Sequence, residues 1–356
     1  SMQYEVKKGF VSLPKGCYIQ LEKKASEVIL ANIRRSFGDR AGLIARIETF
    51  TQDSGLPLSL KNFIGYYHLD PRSIYGKFSF SRLCADAGVL DDFIEPAESI
   101  LTKAFSKLVA VDSRRWIKFL TDILPRFSCE LAASLSDFEK RMLQMFYITV
   151  FQEAADWRSH TTQANMQLLA DSPIMMHELY ALLELNLEHI AFIDQPVPLG
   201  FDCPLDLHCT YTRDQILIAM DYMTPKNVRE GVKWLPDKQV DVFFITLNKA
   251  DKDYSPTTMY NDYSINESLF HWQSKSTTSD TASTGQRYIN HRQRGSKVVL
   301  FVREFKQDSI GAAPYTCLGT AAYVKHTGSK PMNITWHLDQ PIPAKYLRKT
   351  NKLVVG

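Results

Sequence analysis

The stretch DQPVPLGFDCPLDL, residues 194–207, decides how this chain is organised. It holds three prolines and one glycine. Proline removes a backbone donor and glycine permits conformations that regular structure excludes, so such a run ends helices and strands. Apolar residues recur every three or four positions before it and in short β-type runs after it. We therefore predict two domains, a helical one over residues 1–195 and a β-rich one over residues 196–356.

The first half has the spacing of amphipathic helices. In LEKKASEVILANIRRSF, residues 21–37, the apolar positions recur at three- and four-residue steps. In SPIMMHELYALLELNLEHIAFI, residues 172–193, Ser172 precedes Pro173, which is the order expected of a helix cap and a first helical residue. Short connections between such runs are typical of an irregular helical bundle.

The second half reads as strands. The runs are VDVFFITL, KVVLFVREF, YTCLGTAAYV and MNITWHL, each bounded by Gly, Pro, Asn or Asp. One helix, TRDQILIAMDYM, comes first, with Thr212 as its predicted cap. The predicted fold class is therefore a multidomain α+β protein, in which an irregular helical bundle is followed by a β-rich α+β domain.

Bulk properties narrow the class of protein. The chain has 356 residues, of which 45% are hydrophobic, so it can bury a sizeable core. It has neither an apolar run long enough to span a membrane nor a signal-peptide pattern, and we expect a cytoplasmic protein without a membrane partner. The opening SMQ resembles a scar of tag removal, which suggests a piece of a longer protein. The six cysteines form no C-x-x-C pair and are expected to be reduced thiols.

Charge is distributed unevenly along the chain. Residues 1–199 carry 22 basic and 24 acidic side chains, whereas residues 200–356 carry 20 basic and 15 acidic ones. A basic cluster lies within the second half and is predicted to contact a DNA backbone through Arg287, Arg292, Arg294, Lys297 and Arg303. The planar fork of arginine suits phosphate oxygens. The alternative is an ordinary solvated sheet edge.

An aromatic-rich segment, residues 257–279, mixes rings with small polar side chains. Tyr260, Tyr263 and Trp272 are predicted to stack on a nucleobase, and Asp262 to accept from the exocyclic amine of cytosine. The alternatives are that these rings belong to the core and that Asp262 forms a turn.

Motifs for catalysis are missing from the sequence. It has no phosphate loop, no zinc spacing and no H-x-K pair of the phospholipase-D nuclease type. A metal-dependent nuclease built on His291, Asn290 and a distant carboxylate remains an alternative. Because those motifs are missing, our main expectation is that this chain has no catalytic residue, no metal and no cofactor.

Several blocks of the second half resemble one bacterial family. They include REGVKWLP, SPTTMYNDY, FHWQS, TGQRYINH and GSKPMNITWHL. The resemblance, from Leu207 to Pro343, is to the C-terminal domain of large ATP-dependent restriction or helicase-type enzymes. These enzymes have an N-terminal phospholipase-D-like nuclease and a superfamily II motor. Residues 1–195 resemble the helical region that couples the motor to the C-terminal domain.

The resemblance implies a non-catalytic DNA target-recognition module, akin to the SRA-type domains that flip modified cytosine. The implied partners are double-stranded DNA, with or without modified cytosine, and the nuclease and motor domains of the parent chain. The rival hypothesis is a protein-interaction module that positions the motor without reading DNA. Its apolar faces would be supplied by Met142, Met145, Phe146, Met166, Met175 and Met176, although core packing explains those side chains equally well.

Overall fold

The computed structural model describes residues 39–248, 262–344 and 346–347. Within these ranges the chain forms two compact units. The first comprises residues 39–109 and 163–188, and the second comprises residues 110–162 together with those from 189 onward. The helices are α1 Arg40–Ser54, α2 Leu60–Tyr67, α3 Arg72–Tyr75, α4 Phe80–Asp86, α5 Glu98–Leu108, α6 Arg114–Ile123, α7 Cys129–Ser134, α8 Asp137–Phe151, α9 His160–Ala170, α10 Pro173–Glu188, α11 Arg213–Ala219 and α12 Ser283–Ile289. Among the described residues, no helix has the length and apolar character needed to cross a membrane.

The first unit is helical, and two acidic side chains, the partly buried Glu95 and the buried Glu178, bind the N-terminal ends of two of its helices. Glu95 accepts hydrogen bonds from the backbone N–H groups of Ile174 and Met175, at 2.8 and 2.9 Å, at the start of α10. Glu178 of α10 in turn accepts from Phe80 and Ser81, at 2.5 and 2.8 Å, at the start of α4. These contacts satisfy helix N–H groups that have no partner within their own helix. Burial raises the pKa of the Glu178 carboxyl.

The second unit is built on a mixed β-sheet. Its strands are β1 Thr210–Tyr211, β2 Val232–Leu235, β3 Val240–Thr246, β4 Tyr263–Ser264, β5 Leu269–Gln273, β6 Lys297–Arg303, β9 Tyr315–Thr327 and β10 Asn333–Leu338, while β7 Gln307–Asp308 and β8 Gly311–Ala312 form a separate hairpin. The strand order is β2-β3-β6-β9-β10-β5-β4, with β1 on the first part of β9. β3 and β6 are parallel, and the other described pairs are antiparallel.

One side of this sheet carries the main core. Phe243, Leu300 and Trp336 are fully buried there, and Tyr288 of α12 packs against them. The Phe243 ring centroid lies 5.5 Å from that of Trp336 and 5.5 Å from that of Tyr288. These contacts confirm the predicted α+β class, with a helical region followed by a sheet-rich one.

The compact units divide the chain differently from the predicted boundary at 195/196. Residues 110–162, including α6 and α8, belong with the sheet. A buried carboxylate explains this, because Asp206 lies 2.9 Å from Arg115 and accepts a 2.7 Å hydrogen bond from Ser113. In addition, Gln215 of α11 donates to Thr149 of α8 at 2.8 Å. Such long-range polar pairs leave no trace in local periodicity.

Two groups of side chains named from the sequence lie in the interior. The residues assigned to an assembly surface are all buried: Met142, Met145, Phe146, Met166, Met175 and Met176. The described cysteines are free thiols, as predicted, and those at positions 84, 203, 209 and 317 are buried. The methionines therefore pack the cores and present no apolar face.

Candidate nucleic-acid interface

The sheet has a second side, opposite the main core. Over β3, this side is covered by α11, whose Arg213 guanidinium lies 4.6 Å from the Phe244 ring. Over β4, β5, β10 and the last part of β9 it carries polar and aromatic side chains. We call this region the outer face, and by strand register it comprises Tyr263, Leu269, His271, Gln273, Ala322, Lys325, Thr327, Asn333, Thr335 and His337.

Alternation along the strands creates the outer face. In β5, Phe270 and Trp272 point into the core, so His271 between them points outward. In β10, Ile334 and Trp336 are buried in the core. The same period of two therefore gives one dry side and one polar side in both strands.

The central row of the outer face crosses four strands. Tyr263 of β4 lies opposite His271 of β5, which lies opposite Thr335 of β10 and then Lys325 of β9. The Tyr263 and His271 rings are stacked, with centroids 4.8 Å apart and planes 15° from parallel. Both rings are half-buried, and Lys325 is exposed. The row thus combines a ring pair, a threonine that is 9% exposed and a cation.

Flanking rows supply hydrogen-bonding groups. The Gln273 amide donates to the Asn333 side-chain oxygen at 3.2 Å, and Asn333 lies opposite Thr327. On the other flank, Leu269 lies opposite the exposed His337. Amide and hydroxyl groups offer both donors and acceptors, which is what the edges of nucleobases require.

The structure does not place the predicted base-binding residues in one pocket. Tyr263 lies on the outer face, and Tyr260 lies outside the described residues. Asp262 is 2% exposed and accepts a 2.9 Å hydrogen bond from the Gln273 backbone, joining β4 to β5. Its carboxylate therefore has a structural role here, in place of the predicted reading of cytosine.

Trp272 needs the same correction. Its side chain is 6% exposed and belongs to the main core. The Phe243 ring centroid lies 4.5 Å away and that of Tyr288 lies 5.6 Å away. In this structure both faces of the indole are in a packed interior, so Trp272 offers no stacking surface to a ligand.

The predicted backbone-binding cations do not form one strip. Arg287 lies on the main-core side, where Nε donates to Asp241 at 2.8 Å and Nη2 at 3.0 Å. Its guanidinium also lies 4.4 Å from the Trp234 ring centroid. Burial raises the pKa of Asp241, while the nearby guanidinium opposes that shift. Arg287 therefore serves a buried ion pair.

Lys297 and Arg303 lie on the opposite side of β6 from the main core. Lys297 donates to the carbonyl of Pro198 at 2.6 Å. Arg303 stacks on the Tyr315 ring at 4.4 Å and donates to Thr246 at 2.9 Å. Both cations are therefore engaged in contacts within the fold.

Arg292 and Arg294 remain as exposed cations, in the turn between α12 and β6. The Arg292 side chain is 69% exposed and lies 3.4 Å from Asp339, two residues beyond His337. This turn is therefore at the end of β10, next to the outer face.

His291 is a structural histidine. Its Nδ1–H donates to the Ser296 carbonyl at 3.1 Å, and its Nε2 accepts from the Tyr323 N–H at 3.1 Å. Burial lowers the pKa of this imidazole. Both ring nitrogens are thus engaged by backbone groups. Across the described ranges, no group of three or more His, Cys, Asp or Glu side chains is placed to hold a metal ion.

The Ser/Thr-rich segment 274–284 is attached to the turn between β9 and β10. The backbone N–H of Lys330 donates to Thr278 at 3.1 Å, and the Ser329 hydroxyl donates to Asp280 at 2.9 Å. At the start of α12, a Cβ added to Gly285 would meet the Ser279 carbonyl oxygen at 2.0 Å. The segment is therefore held by specific contacts in this structure.

Sequence reasoning missed most of the outer face. His271, Gln273, Asn333, Thr335 and Lys325 were not singled out. The signal was present in LFHWQ and NITWHL, where polar residues alternate with large apolar ones. Alternation of this kind marks the two sides of a strand.

Comparison with known proteins gives one finding. No curated protein matches the chain. Residues 205–349, which include every strand from β1 to β10 and the whole outer face, match the family described as "Domain of unknown function (DUF3427)", so a domain of that family is found in this part of the chain.

Proposed function

We propose that the second unit binds DNA through the outer face and serves as a target-recognition module without catalysis of its own. The observation that carries the proposal is the stacked pair of Tyr263 and His271, in one row with Thr335 and Lys325. Rings that stand among amide and hydroxyl groups suit bases, since every base has a π-face and a hydrogen-bonding edge.

Charge supports the same assignment. Lys325 lies at one end of the central row, and Arg292 and Arg294 lie in the turn next to His337. Each cation that neutralises a phosphate releases counterions, so binding through these groups becomes salt-dependent. The five-cation strip predicted from the sequence is replaced in this proposal by Lys325, Arg292 and Arg294.

The wider context is proposed from the sequence resemblance. In that proposal the second unit is the SRA-like recognition part of an ATP-dependent, modification-dependent restriction or helicase enzyme. The nuclease and motor would lie elsewhere in the parent chain. Matched duplexes that differ only in cytosine methylation test this finer proposal, because a modification sensor must prefer one of them.

DNA binding itself is tested with a fluorescent duplex that carries a single-stranded overhang, titrated at several salt concentrations. We expect a negative slope of log affinity against log salt. Lys325→Glu should weaken binding, whereas Lys118→Glu, the same charge change at an exposed position of α6, should leave it nearly unchanged. Equal effects of the two substitutions, or no DNA binding by the unsubstituted protein, would refute the proposal.

A further inference from the structure

We infer that the outer face takes a single-stranded segment of DNA, with two or three unstacked bases laid across β4, β5, β10 and β9. This inference rests on the proposed function and specifies the form of DNA that the face accepts. It follows from the width of the face, its charge and the chemistry of its side chains.

The outer face is too wide to enter the major groove of duplex DNA. The central row runs from Tyr263 to Lys325 across four strands. Three spacings of about 4.8 Å make this row about 14 Å wide before side chains are added. The major groove of B-DNA is about 12 Å wide and admits a helix or a two-stranded ribbon. A four-stranded face therefore cannot enter it.

The side chains present a ring pair and amides that one base can use together, through its face and its Watson–Crick edge, only when it is unpaired. The Gln273 and Asn333 amides lie one row away from the Tyr263–His271 pair, at a spacing of about 6.7 Å along the strands. A base that stacks on a ring can then offer its Watson–Crick edge to an amide. In a duplex, that edge is paired and both faces of the base are already stacked.

The low charge of the outer face also favours single-stranded DNA over a duplex. Among the outer-face residues, Lys325 alone carries a permanent charge. Duplex recognition without groove contacts relies on many phosphate contacts, and its affinity comes largely from the cations among them. Binding of single strands instead draws much of its affinity from base–ring stacking. A face with one lysine and a stacked ring pair is therefore better matched to a single strand.

Dimensions set the length of the bound segment. The three rows, from Leu269 through His271 to Gln273, span about 13 Å along the strand. Four-stranded sheets that stack bases on exposed aromatics hold two or three bases over a comparable area. Arg292 and Arg294, at the His337 end, are placed to contact a phosphate as the strand leaves the face.

The test compares three probes of one mixed sequence, each of about 12 nucleotides: a DNA single strand, its blunt duplex and the corresponding RNA strand. We expect the DNA strand to bind at least about tenfold more tightly than the duplex. Tyr263→Ala and His271→Ala should each weaken single-strand binding by roughly 5- to 150-fold. His271→Phe, which keeps a flat ring, should retain most of the affinity.

Phe305→Ala is the matched control, because it removes a ring that is 47% exposed and follows β6, outside the outer face. It should leave the affinity unchanged, and circular dichroism should show that every variant is folded. If the blunt duplex binds as tightly as the single strand, the inference is wrong while DNA binding stands. If no probe binds, both fail. Tighter binding of the RNA strand would overturn the assignment to DNA.

Discussion

The carboxylate of Asp241 is bound on both oxygens by one guanidinium, with Arg287 Nε at 2.8 Å and Nη2 at 3.0 Å. Asp241 is fully buried, and the two residues are 46 positions apart in sequence. A bidentate pair of this kind combines favourable charge with fixed geometry. It explains why an arginine that the sequence assigned to a DNA backbone is instead part of the interior.

The first prediction follows from this pair. Arg287→Ala leaves a buried carboxylate without its cation, so the free energy of unfolding should fall by about 3–5 kcal/mol. Arg294→Ala removes an exposed arginine seven positions later and should change stability by no more than about 0.5 kcal/mol. Urea denaturation of the two variants checks both values, and similar stability losses would contradict the assignment.

The second prediction concerns Trp272 and Tyr263, which lie on opposite sides of the sheet. Trp272→Ala removes a core side chain and should lower the free energy of unfolding by about 3–5 kcal/mol. Tyr263→Ala should cost about 1 kcal/mol or less and act mainly on DNA affinity. The check is thermal denaturation of both variants with DNA binding measured below their melting temperatures. A stable Trp272→Ala variant that has lost binding would return Trp272 to the binding site.

The third prediction is a pH dependence set by His291. Burial lowers the pKa of this group in the folded state, so the folded protein resists a proton that the unfolded chain accepts. The stabilisation is therefore complete above about pH 6.5, the ordinary histidine value, and is lost as the pH falls below it. A proton on Nε2 would also face the N–H of Tyr323.

His291→Gln removes this titration and is the matched control. The difference in free energy of unfolding between parent and variant should therefore shrink as the pH falls from 7.5 to 5. Urea denaturation at several pH values measures it. A difference that stays constant across this range would show that His291 does not resist protonation in the fold.

The fourth prediction contrasts two glycines. Gly285→Ala places a Cβ against the Ser279 carbonyl, so α12 or the segment before it must shift and stability should drop by about 1–3 kcal/mol. Gly65→Ala, in the interior of α2 with open space around the added carbon, should instead raise stability by about 0.5–1 kcal/mol. Calorimetry of the two variants gives the signs, and a stabilising Gly285→Ala would contradict the close contact.

Sequence periodicity predicted the strands well because alternation and turn residues are local signals. The bounds of β3, β6 and β10 fall within the predicted runs, whereas β9 extends three residues beyond its run YTCLGTAAYV, to Thr327. It could not assign a side chain to one side of the sheet, since that depends on pairing with distant strands. Trp272 and His271 are neighbours in sequence, yet one is core and the other is on the outer face.

The five cations of the basic cluster do not form one strip, for a related reason. Arg287, Lys297 and Arg303 are close in sequence, but Arg287 lies on α12 on the main-core side of the sheet, whereas Lys297 and Arg303 lie on β6 and point to the opposite side. Their partners, such as Asp241 and Pro198, come from segments far away in the chain. Charge counting locates cations along the chain, whereas long-range contacts decide which of them reach solvent.

The pairing of Asp206 with Ser113 and Arg115 determines where the chain can be cut. A fragment that starts at residue 196 or 205 would contain the sheet, but it would leave the fully buried Asp206 carboxylate without the Arg115 cation and the Ser113 hydroxyl that bind it. Truncation for biophysical work should therefore begin ahead of residue 110, so that α6 to α8 accompany the strands. A shorter piece that failed to bind DNA would report a folding defect and say nothing about recognition.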